Sequence, residues 1–83
     1  MPQTLTKSII VARHLERLAQ AAWAGKVILA GRTNESLDLT FGLVIFEADS
    51  EASAREFMQS DPAVQAGLMT ATLHPYAVAL QRQ

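Results

Sequence analysis

Between Thr40 and Ala48 the chain reads TFGLVIFEA, a run of strong β-formers. In an extended strand Phe41, Leu43 and Ile45 point one way, and Gly42, Val44 and Phe46 point the other. Both faces are therefore apolar. Helices from the same chain can cover one face of a single antiparallel sheet, and the second face needs another cover. A second sheet from an identical subunit is the simplest cover. The pattern thus predicts a homodimer or higher oligomer, because a large exposed apolar face rarely survives in a monomer. Length argues the same way: 83 residues form one domain, 1–83, and a chain of that size buries only ~60–65% of its unfolded surface. Such a domain is marginal alone.

Around this strand the organisation is compact, with no repeat or internal linker. From about Thr6 to Ala24 the apolar positions Val11, Leu15, Leu18 and Ala22 recur at helical spacing. Ala19, Ala21, Ala22 and Ala24 add helix propensity, and Gly25 stands where a helix stop is expected. Val27-Ile28-Leu29-Ala30 is a short apolar run that suits a buried strand. Polar residues from Arg32 to Leu39, among them Asn34, Ser36 and Asp38, form the connection to the strand over Thr40–Ala48. Asp49 or Ser50 can cap a second helix that carries Ala54, Phe57 and Met58 inward. Asp61-Pro62 opens a further short turn of helix closed by Gly67. Thr70 to Leu80 alternates and reads as a terminal strand, with Pro75 placing it at an edge or a bulge. The expected order is helix, strand, strand, helix, strand.

Composition narrows the partners. With 49% apolar and 18% charged residues the chain reads as globular. Seven Lys+Arg against eight Asp+Glu give a formal net charge of −1 and no basic face. Nucleic acid and anionic membrane are not expected partners. No cysteine is present, which removes a thiolate nucleophile and cysteine-ligated metal. Two histidines and no cluster at ligand spacing predict no metal, and no cofactor motif is evident. Met1-Pro2-Gln3-Thr4 lacks the head of a signal peptide, and no apolar stretch approaches a membrane span, so a cytoplasmic location is expected.

Three segments together carry a resemblance: Asp61-Pro62-Ala63-Val64-Gln65-Ala66-Gly67-Leu68-Met69-Thr70-Ala71-Thr72-Leu73-His74-Pro75-Tyr76, Arg13-His14-Leu15 and Ala30-Gly31-Arg32. The chain resembles the YCII-related (YciI-like) proteins, members of the dimeric α+β barrel superfamily, over nearly all of Ile10 to Leu80. The resemblance implies an α+β fold with a ferredoxin-like antiparallel sheet, two helices on one face, and face-to-face dimers. It also exposes a shortening at the N-terminus. The family's β-α-β-β-α-β plan places its first strand in the middle of the sheet, and only nine residues precede Ile10. Either residues 4–11, rich in β-branched side chains, form a strand, or the helix keeps its length and that slot is filled otherwise. The helix is preferred, with Met1 to about Thr4 irregular.

The candidates for chemistry are few. His14 sits at the margin of the helical stripe, and histidine, with an unperturbed pKa of ~6.5, suits proton transfer near neutrality. The resemblance implies a His–Asp active-site pair, which maps onto His14 and Asp61. A carboxylate there would orient the imidazole. Asp61 before Pro62 is equally the pattern of a helix N-cap. His74 and Tyr76 share a strand face and can line a substrate pocket toward the partner sheet, and Arg32 can hold a carboxylate substrate. For all three, ordinary packing or solvation is the competing reading. Trp23 reads as a core or interface anchor.

No nucleophile motif such as G-x-S-x-G is present. The expected function is acid–base chemistry of isomerase, lyase or dehalogenase type on a small organic molecule. The alternative is a non-catalytic, small-molecule-binding or oligomerising accessory domain.

Overall fold

A computed structural model describes residues 6–82. It has the order α1 (Lys7–Trp23), β1 (Val27–Arg32), β2 (Gly42–Phe46), α2 (Glu51–Gln59) and α3 (Pro62–Gln65). The fold is α+β, as expected, and agrees with the ferredoxin-like plan.

Helix α1 begins where Thr6 caps it, the Thr6 hydroxyl accepting from the Ile9 amide at 3.3 Å. The first regular element among the described residues is thus this helix, not a strand; Met1 to Thr4 lie outside those residues. At the far end Gly25 takes φ +87°, which lets its N–H reach Ala22 O and the Lys26 N–H reach Ala21 O at 2.8 Å. This is a Schellman stop, and it needs a residue tolerant of positive φ. The chain leaves it directly into β1. Strands β1 and β2 pair antiparallel, with Leu29 opposite Ile45, Ala30 opposite Val44, Gly31 opposite Leu43, and an irregularity between Val27 and Leu29.

Ser50 caps α2 through a box in which Ser53 returns the bond. Asp61 caps α3, Pro62 holds its first turn, and Gly67 at φ +75° ends it with a second Schellman pair to Val64 O and Ala63 O. α3 packs on α1, and β1 packs on α1. Phe46 of β2 meets Phe57 of α2 with ring centroids 4.8 Å apart. Val44 shares the Phe46 face of β2, so that face is the helix-covered one. Leu29, Leu43 and Ile45 then lie on the opposite face. There Leu29 and Leu43 are 56% and 52% exposed, so this second apolar face is open in the single chain.

Three expectations need correction. Thr70–Leu80 forms no strand, and the sheet has two strands, β1 and β2. The physical reason is pairing: in the ferredoxin-like plan a terminal strand lies beside the first strand. Among the described residues no strand precedes α1, so the alternating segment has no ladder partner. Second, of the expected stripe Val11, Leu15, Leu18 and Ala22, α1 buries Leu18 alone. Its inner stripe is Ile10, His14, Leu18 and Ala21, with Arg17 beside it, while Val11, Leu15 and Ala22 are exposed. The helix is turned so that two polar side chains face α3, where a buried carboxylate compensates them. Third, Trp23 is 94% exposed in the single chain, so of its two readings, core or interface anchor, the core one is overturned.

The apolar core comprises Ile10, Leu18, Val27 and Ala63, with no large side chain fully buried among the described residues. Among the described residues no helix is long and apolar enough to cross a membrane.

Candidate functional site

The seam between α1 and α3 holds the one buried charged side chain among the described residues, Asp61. Its two oxygens do different work. Oδ1 accepts from the Ala63 amide at 2.8 Å and so caps α3. Oδ2 lies 2.6 Å from His14 Nδ1. An ionised carboxylate only accepts, so His14 Nδ1 carries the proton and donates, which leaves Nε2 as the atom able to take or give a proton. His14 reaches this point because it sits on the inner stripe of α1 one turn after Ile10. Its side chain is 17% exposed against 8% for that of Asp61, so the pair is largely sheltered yet not sealed. The capping role and the pairing role, which compete as readings of the sequence, coexist in one side chain.

Arg17 completes the seam. Its Nη2 donates to the Ser60 hydroxyl at 2.6 Å, and its Nη1 stands 3.9 Å from Asp61 Oδ2, an ion pair without a hydrogen bond. Its guanidinium lies over the Phe57 ring, 4.2 Å from the centroid, and Lys26 approaches the same ring at 4.9 Å. Neither Arg17 nor Lys26 is singled out by the sequence reading. The signal for Arg17 was present: it follows His14 by three residues and must share its helix face.

The other candidates stand apart from this seam. Arg32 ends β1 and is exposed; His74 and Tyr76 lie exposed in the irregular segment after α3. The structure brings together His14 and Asp61, and it does not bring Arg32, His74 or Tyr76 to them. Open clefts on the surface of the described residues lie elsewhere. One is lined by residues of α2 with Ser60 and Gln65, another by Lys26, Glu47, Asp49 and their neighbours, and neither includes His14 or Asp61. Among the described residues no group of three or more His, Cys, Asp or Glu is placed to hold a metal ion.

The model of the YCII-related domain matches residues 2–73, most of the chain. The chain belongs to that family. The match covers α1 through α3 and therefore both His14 and Asp61, and it ends at Leu73, one residue before His74. This YCII-related domain has no match among curated proteins and none among solved structures. Family membership agrees with the α+β fold, and the geometry of the seam is the chain's own contribution to the question of function.

Proposed function

We propose that this YCII-related domain performs acid–base chemistry of isomerase, lyase or dehalogenase type on a small organic molecule. His14 is the proton carrier through Nε2, and Asp61 orients the ring and stabilises the imidazolium that forms when it accepts a proton. The observation that supports this reading is the 2.6 Å contact between His14 Nδ1 and Asp61 Oδ2. A histidine held in one tautomer by a sheltered carboxylate is poised for proton transfer.

The proposal includes a homodimer or higher oligomer, in which the open face carrying Leu29, Leu43 and Ile45 is covered by a second copy. In that assembly Arg32, His74 and Tyr76 are assigned to substrate binding, since they are free of the core in the single chain.

A panel of small lactones, hydroxy acids and halogenated carboxylic acids, followed by NMR, tests the chemistry. One class should be converted, and His14→Asn should slow that conversion by ~10²–10⁴-fold while the circular dichroism spectrum stays unchanged. Conversion undiminished in His14→Asn would overturn the assignment. Binding without conversion would leave the domain as an accessory binder.

A further inference from the structure

The guanidinium of Arg17 is held from three directions: the Phe57 ring at 4.2 Å, the Ser60 hydroxyl at 2.6 Å and the Asp61 carboxylate at 3.9 Å. Ser60 is the C-cap of α2 and Asp61 the N-cap of α3, so these adjacent residues are the corner between the two helices. The Ser60 hydroxyl also donates to Phe57 O at 3.2 Å, which ties the corner back to the ring on which Arg17 lies. Arg17 itself is rooted in α1, one turn from His14. A rigid planar group thus links the helix bearing His14 to the corner bearing Asp61.

The orientation of Asp61 matters because its oxygens are not interchangeable. Oδ1 is committed to the Ala63 amide, and only Oδ2 faces His14. A small rotation of the corner would keep the cap and lose the bond to Nδ1. We propose that Arg17 is a positioning residue for the His14–Asp61 pair, pinning the corner so that Oδ2 stays against Nδ1 and the ring stays in the Nδ1–H tautomer. This rests on the reading of that pair as the working unit. Lysine is no substitute, since an ammonium does not present a planar fork to Ser60 and Asp61 together while lying over Phe57.

The test reads the His14 ring nitrogens by ¹⁵N NMR in the full chain at about pH 8, where an unperturbed imidazole is neutral. His74 is assigned separately. The wild-type protein should show His14 in the Nδ1–H form. In Arg17→Gln, with circular dichroism unchanged, that signature should give way to a mixture dominated by Nε2–H. A folded Arg17→Gln protein that keeps the wild-type His14 signature would overturn the proposal and reduce Arg17 to a helix–helix contact. Should the Gln variant fail to fold, Arg17→Lys is read in the same way, loss of the signature supporting the role and retention refuting it. Asp61→Asn separates the two levels. If it keeps the signature, the pair itself fails. If it loses the signature while Arg17→Gln keeps it, only the role of Arg17 fails.

Discussion

Ile45→Glu is expected to break self-association outright. Ile45 lies on the face of β2 opposite Phe46 and Val44, directly across from Leu29. Its neighbours on that face, Leu29 and Leu43, are exposed, and Ile45 itself is half-buried in the single chain. A carboxylate at the centre of an interface there would be buried unpaired, at a cost of several kcal/mol. The wild-type protein should give a light-scattering mass that is a multiple of 9.0 kDa, and Ile45→Glu should reduce it to the single chain with loss of structure. Val44→Glu should act differently. Its side chain points into the helix-covered layer with Phe46, so it should unfold the domain at any protein concentration. A folded wild-type monomer of 9.0 kDa at micromolar concentration would contradict the assembly.

Asp61→Ala should have the largest effect of any single change at the site. It removes the cap of α3, worth about 1 kcal/mol. It also removes the charged acceptor of His14, worth about 1.5–3 kcal/mol. Arg17 loses its nearby counter-charge in the same step. A total of about 2.5–4 kcal/mol is a large part of the stability of a domain this small, which is on the order of 5 kcal/mol. His14→Ala leaves the cap intact and should cost clearly less. Urea unfolding followed by circular dichroism makes the comparison, and a loss below about 1 kcal/mol for Asp61→Ala would mean that the cap alone acts there.

Local chemistry explains what was readable in the sequence. Gly25, Ser50, Asp61-Pro62 and Gly67 act through their own backbone and nearest neighbours, and each stands in the structure where its chemistry puts it. The hairpin of β1 and β2 follows from two β-rich runs around a polar connection. The terminal strand did not follow, because pairing is a property of two segments, and Thr70–Leu80 carries the pattern without a neighbour to pair with among the described residues. The inward face of α1 differs from the apolar count for a related reason. Counting apolar residues favours Val11 and Leu15, whereas the buried Asp61 draws His14 and Arg17 inward, and that carboxylate is 47 residues from His14 in sequence. The pairing of His14 with Asp61 was legible only through resemblance to the family. Arg32, His74 and Tyr76 stand out in the sequence as strand-end and strand-face positions, and the irregular course after α3 leaves His74 and Tyr76 exposed and away from the pair.

The claim at the centre of this account is that His14 and Asp61 act as one unit. A double-mutant cycle measures that directly: His14→Ala, Asp61→Asn and the double variant, unfolded in urea at one fixed protein concentration. Asparagine keeps an oxygen for the Ala63 amide, so the cap is largely preserved and the pair is what changes. A coupling free energy of about 1–3 kcal/mol between the two positions is expected. Effects that add to within about 0.5 kcal/mol would contradict it.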